Sequence, residues 1–96
     1  MKKISRDEKE KSLEPFLRAG WFYLKERDAI TKKYTFANFV EAFGWMSKAA
    51  IISEKLNHHP EWSNVYKSVQ VTLTTHDVKG LSSLDLELAS KLDALT

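Results

Sequence analysis

Ninety-six residues with 43% hydrophobic and 29% charged side chains make one small ordered domain, 1–96, and only three glycines and two prolines argue against a flexible linker. A net charge of +2, with acids and bases interleaved as in MKKISRDEKEK, gives no basic stripe for nucleic acid; the absence of cysteine excludes disulfide staples and thiolate metal sites. No apolar run approaches a membrane span and the polar start lacks a signal-like apolar stretch, so the expected location is cytoplasmic, with the nucleus open to so small a chain.

The first predicted element is a helix over residues 5–18. Ser5 serves as its N-cap, and Leu13, Phe16 and Leu17 fall at helical spacing. Pro15 predicts a kink or a division in it, and Gly20 its end. WFYLKE and AITKKYTF, separated by Arg27-Asp28, read as a β-hairpin. Its second strand puts Ile30, Lys32, Tyr34 and Phe36 on one face, an imperfect alternation. Asn38 then caps a long helix from Phe39 to about Leu56. This helix carries two apolar stripes, Phe39-Phe43-Met46-Ala50 and Trp45-Ala49-Ile52-Leu56. Together they span roughly 180°, wider than the ~100° a surface helix needs. The width fits a helix deep in a groove or, as favoured here, a helix with one stripe against the sheet and the other against another subunit.

SNVYKSVQVTLTT gives a second hairpin in which Val69, Val71 and Leu73 face one way and Gln70, Thr72 and Thr74 the other. A last helix follows Ser82 or Ser83, with Leu84, Leu88 and Leu92 at i, i+4 and i+8. The order α-β-β-α-β-β-α predicts an α+β fold: a four-stranded antiparallel sheet with three helices on one face.

Chemistry concentrates in EKLNHHPEW, residues 54–62, and in VTLTTHD, which together hold all three histidines. Asn57 is a competent helix C-cap and Pro60 forbids further helix, extending His59 before it. The two imidazoles are therefore expected to point in different directions. Glu54, four residues before His58, would share its face if the helix continued. His76 lies on the polar side of its strand or just beyond, with Thr74, Thr75 and Asp77 beside it. Imidazole titrates near neutral pH and suits acid–base work. A helix-end turn whose imidazoles meet terminal carbonyls and a three-histidine zinc site also fit these residues, although no HxH or HxxxH spacing is present. No GxSxG or glycine-rich phosphate loop appears.

These residues resemble the pterin-4a-carbinolamine dehydratase family. The resemblance lies in Glu54, His58-His59-Pro60, Tyr66, His76 and Asp85, with Gly20-Trp21, RDAI at Arg27–Ile30 and FxxAFGWM at Phe39–Met46. It covers about residues 13 to 92 and leaves residues 1–12 as a variable segment. It implies dehydration of 4a-hydroxytetrahydrobiopterin to quinonoid dihydrobiopterin in tetrahydrobiopterin recycling, with the pterin as substrate and no cofactor or metal. By the same resemblance His58, His59 and His76 are the catalytic residues, with His58 and His76 as the acid–base pair and His59 orienting substrate. Glu54, Asn57, Pro60, Trp62, Thr74, Thr75 and Asp77 complete the substrate site, Glu54 tuning His58. Asp85 is expected to anchor the last helix. Asn57 departs from the family's usual Asp and removes a negative charge there. The family also implies a homo-oligomer built as a dimer of dimers, with Trp45, Ala49 and Ile52 of the long helix as the candidate assembly face, no direct nucleic-acid or membrane contact, and, as an alternative function, a dimerisation cofactor or coactivator that binds transcription-factor helices.

Overall fold

The computed structural model describes residues 2–96. Along the chain run α1 (Arg6–Arg18), β1 (Phe22–Leu24), β2 (Ala29–Thr35), α2 (Phe39–Leu56), β3 (Glu61–Val65), β4 (Ser68–Leu73), a 3-10 turn at His76–Val78, and α3 (Ser83–Ala94). The strands pair antiparallel in the order β1-β2-β4-β3, and the helices cover one face, the α+β arrangement that the alternating elements predict.

Alternation in SVQVTL decides which face is covered. Val69, Val71 and Leu73 are fully buried under the helices, paired across the sheet with Tyr34, Lys32 and Ile30 of β2. Lys32 sits on this inward face because its charge has somewhere to go. Its Nζ donates to the Ala19 carbonyl at 2.6 Å and to Asp93 Oδ1 at 2.8 Å, while its stem lies by the Trp21 and Tyr34 rings. Asp93 also accepts from Trp21 Nε1 and from the Tyr34 hydroxyl, a clasp between α3 and the sheet. Burial and that carboxylate together push the Tyr34 hydroxyl far above its ordinary pKa.

Three local expectations change. α1 runs unbroken through Pro15, which is exposed, so the carbonyl deprived of its helical donor faces water. The first hairpin has a three-residue β1, because Lys25–Asp28 form the turn and Asp28 takes a left-handed conformation that sends its side chain inward. The assembly face expected on α2 is also corrected. Ala42, Trp45, Ala49 and Ser53 are the buried stripe, with the Trp45 ring centroid 4.5 Å from that of Tyr34. Ile52 is half-buried, and the outward apolar face is Phe39, Val40, Phe43 and Ile51. Both stripes looked equally apolar along the chain; the partner aromatics Tyr34 and Phe36 settle which one turns in.

Lys3 and Ile4 are tied down as well. Ile4 N–H donates to the Leu81 carbonyl at 2.7 Å and Lys3 bridges to Ser82, so the chain start braces the entry to α3. No helix among the described residues is long and apolar enough to cross a membrane.

Candidate active site

The antiparallel register gathers chain ends. β4 finishes, β2 starts and β3 starts at one end of the sheet, which collects the segments Arg27-Asp28, His58–Glu61 and Thr74–His76.

α2 stops at Asn57, which adopts left-handed φ 51° and ψ 42° and donates its N–H to the carbonyls of Ser53 and Glu54. Asparagine is among the few residues that tolerate this conformation readily. The reversal turns the next residue off the helix. His58 therefore does not share a face with Glu54, and the expected Glu54–His58 pair does not form. His58 instead turns inward, 9% exposed, with Nε2 2.5 Å from Oδ1 of the fully buried Asp85. His59, extended before Pro60, turns outward and pairs with the Glu54 carboxylate.

Asp85 does two things at once. It closes the first turn of α3, its Oδ2 accepting from Ser82 N–H at 2.9 Å, and it accepts from the Thr75 hydroxyl at 2.7 Å. Thr75 has one hydroxyl proton and gives it to Asp85, so the Ser82 hydroxyl must donate to Thr75 Oγ1 across 2.6 Å. The anchoring of the last helix and the fixing of His58 are thus one hydrogen-bonded network.

His76 opens the 3-10 turn beyond β4 and is 82% exposed, with Nε2 3.6 Å from Glu61 Oε2. Thr74 donates its hydroxyl to the Asp28 carbonyl at 3.1 Å, and Asp77 faces solvent. Pro60 and Trp62 are half-buried, Trp62 standing opposite Val71 on the helix-covered face. Tyr66 lies apart from all of these, in the β3–β4 turn at the other end of the sheet, roughly 15 Å along a five-residue strand.

Three charged residues at this end were given no site role from the sequence: Arg27 and Asp28, which belong to the RDAI stretch, and Glu61. Arg27 forks onto Glu61 through Nη1–Oε1 at 2.9 Å and Nη2–Oε2 at 2.7 Å. The hydrogen bonds and charge of Arg27 hold the Glu61 carboxyl below its ordinary value. Asp28 accepts from the Tyr23 hydroxyl at 2.7 Å, from Lys9 Nζ at 2.8 Å and from Leu81 N–H at 3.3 Å. Gly80 is required beside it, because a Cβ there would collide with the Asp28 carboxylate. Desolvation pushes the Asp28 pKa up, yet the donors from Lys9, Tyr23 and Leu81 outweigh it and leave it lowered. A groove of about 710 Å³ lined by Lys3, Arg6, Lys9, Leu13 and Tyr23 lies on the far side of Asp28 and contains none of the histidines. The signals in the sequence for these residues are the RDAI stretch, which shares in the family resemblance, and the position of Glu61 directly after Pro60.

Each imidazole thus has its own carboxylate: His58 with Asp85, His59 with Glu54, His76 with Glu61. Among the described residues no three ligating groups converge as a metal cage would need. The arrangement suits proton transfer at an organic substrate.

A small antiparallel α+β domain with carboxylate-paired imidazoles at one sheet end is the class that fold and site define. The chain belongs to the pterin 4 alpha carbinolamine dehydratase family, whose model matches residues 2–95. A relative from Roseobacter denitrificans, which carries the name pterin-4-alpha-carbinolamine dehydratase provisionally, is 57% identical over 97% of this chain and 95% of its own. The pterin-4-alpha-carbinolamine dehydratase of Drosophila melanogaster is 46% identical over 95% of this chain, which matches 47% of that longer protein. Among solved structures, a transcriptional coactivator/pterin dehydratase from Brucella melitensis superposes with a TM-score of 0.87 at 42% identity over 97% of both chains. A pterin dehydratase-like protein identified as a RuBisCO assembly factor in the alpha-carboxysome shares the fold, with a TM-score of 0.70 at 21% identity over 79% of this chain and 88% of its own.

Proposed function

We propose that this protein dehydrates 4a-hydroxytetrahydrobiopterin to the quinonoid dihydrobiopterin, in tetrahydrobiopterin recycling, by histidine general acid–base catalysis. The reaction breaks the C4a–O bond and forms a C4a–N5 double bond. One group gives a proton to the departing hydroxyl, which leaves as water, and another takes a proton from the ring nitrogen. No electrons are exchanged with a second reactant, and acid–base residues suffice.

The observation that carries this reading is the different burial of the three imidazoles. His59 and His76 stand open to solvent, while His58 is held inside by Asp85. We assign proton exchange with substrate to His59 and His76, so His59 takes the place that the family resemblance implies for His58. His58 fixes the backbone between α2 and β3 from which His59 projects, and Asn57 sets that reversal. Thr74 and Asp77 offer polar contacts beside His76, and half-buried Trp62 supports the rim.

The test is dehydration of freshly generated 4a-hydroxytetrahydropterin, followed by ultraviolet absorbance. His59→Ala and His76→Ala should each lose about 10²–10⁴-fold in kcat with the fold intact, the usual contribution of a positioned acid or base. A native chain no faster than buffer would overturn the reading.

A second reading rests on Phe39, Val40, Phe43 and Ile51, an exposed apolar row on α2. Such a row supports self-association into the dimer of dimers that the family resemblance implies, or the docking of a partner's helices, as in a coactivator. Phe43→Glu should dissociate a homo-oligomer in sedimentation while sparing pterin chemistry. Unchanged sedimentation would remove self-association through this face.

A further inference from the structure

The histidine end of the sheet carries a charged pair that the reaction above leaves unemployed. Arg27 belongs to the β1–β2 turn and Glu61 begins β3, yet β4 lies between β2 and β3 in the sheet. Their bond therefore spans the end of β4, just where the chain leaves the sheet to reach His76. Both side chains are about half exposed, and an isolated pair of that kind would swing freely. The two-pronged fork removes that freedom, because guanidinium and carboxylate must be coplanar for both bonds to form. The oxygen fixed in this way, Glu61 Oε2, is the atom that His76 Nε2 approaches to 3.6 Å.

We propose that Arg27 and Glu61 are positioning residues for His76: the Glu61 carboxylate orients the His76 ring and meets the charge it carries during proton transfer, and Arg27, forked onto that carboxylate, offsets part of its negative charge. The proposal rests on reading His76 as a proton-transfer group. Glu61 is anionic through the neutral range, as an ordinary glutamate is, and the hydrogen bonds and charge of Arg27 hold its carboxyl lower still. Asp77 and Lys79, of opposite charge, belong to the same turn as His76, and His59 is turned to Glu54. Glu61 reaches His76 from β3, with Arg27 behind it from the β1–β2 turn.

The two partners act on His76 with opposite sign, which separates this from a mere prop. Glu61→Gln keeps the shape and one acceptor for Arg27 but removes the negative charge, so His76 should give up its proton at lower pH. Arg27→Met leaves the carboxylate without its neutralising partner, so His76 should keep its proton to higher pH. A brace whose loss only loosened the loop would move both variants the same way.

The experiment follows the ring C–H resonances of His76 by NMR across pH in the native chain, Glu61→Gln and Arg27→Met, with His76→Gln to assign the signal. The same three proteins are assayed for the pH profile of kcat/KM in pterin dehydration. Midpoints should move by about 0.3–0.5 pH unit, down for Glu61→Gln and up for Arg27→Met, a size set by the modest strength of exposed pairs. The limb of the kcat/KM profile that disappears in His76→Gln should move with them. Equal midpoints in all three proteins, or shifts of the same sign, overturn the proposal, and so does a kinetic limb that stays put while the resonances move. Opposite shifts in a chain that dehydrates no pterin would uphold the coupling and remove the dehydratase reading instead.

Discussion

His58 and His59 are neighbours in the chain and each is bonded to a carboxylate, but the two pairs live in different solvents. Asp85 is fully buried and His58 nearly so, whereas the side chains of Glu54 and His59 are 76% and 56% exposed. Inside, the same pairing is part of the scaffold: Asp85 also holds Ser82 N–H and the Thr75 hydroxyl, none of which can turn to water if it is lost. Outside, water competes for both partners and the pair has little to contribute to stability. A left-handed residue and a proline are enough to turn one imidazole into the interior and its neighbour out to solvent.

Asp85→Ala is the most severe way to probe that contrast. It strands an imidazole, a hydroxyl and an amide in the interior, and losing one partner of a buried pair costs about 3–5 kcal/mol. For a domain of this size that lowers Tm by more than ~10 °C. Urea denaturation followed by circular dichroism measures it; a loss below about 1 kcal/mol would mean the network is not the scaffold described here. Asp85→Asn, which retains an acceptor, should lose less.

Asp28 lies between the extremes and sharpens the comparison through pH. It is buried, and its donors Lys9, Tyr23 and Leu81 lower its pKa from 3.8 despite the opposing desolvation. A depressed carboxylate contributes stability that is present above its unfolded value and is lost as pH falls through its folded value. Asp28→Asn should therefore cost about 1–3 kcal/mol at neutral pH, the range for buried donors left poorly paired. The gap between variant and native chain should narrow below about pH 4, where the unfolded carboxyl begins to take up protons. Urea midpoints at neutral and acid pH decide it, and a gap that is constant with pH would assign the loss to packing alone.

The residues themselves explain what was legible in advance. Val69, Val71 and Leu73 alternate, Asn38 and Asn57 stand where caps belong, and Ser82 opens α3, so local patterns located every helix and the second hairpin. Grouping in two short stretches picked out the three histidines, and the family resemblance supplied the roles expected of them. Which carboxylate each would meet depends on contacts across the fold: Asp85 is 27 residues from His58, and Arg27 is 34 from Glu61. The one partner weighed from spacing, Glu54 for His58, needed the helix to continue two residues beyond Leu56, past the reversal at Asn57. Lys32 spoiled an alternation for a comparable reason, because the aspartate that receives it lies 61 residues away on α3.

The mildest test falls on the exposed pair and asks for two readouts. Glu54→Gln should change stability by no more than ~0.5 kcal/mol, since neither partner depends on the other for solvation. If His59 exchanges protons with substrate, the same change should still lower kcat/KM by about tenfold, a fraction of the ~10²–10⁴ that an acid–base group contributes. Salt offers a control that leaves every side chain in place. At about 1 M the Debye length falls to ~3 Å, so the native enzyme should lose part of its advantage over the variant, while the buried His58–Asp85 pair is screened far less. A stability loss as large as that of Asp85→Ala would erase the distinction between the two pairs. An unchanged kcat/KM would leave His59 without its carboxylate's help and shift the weight of the chemistry to His76, where Glu61 waits 3.6 Å away.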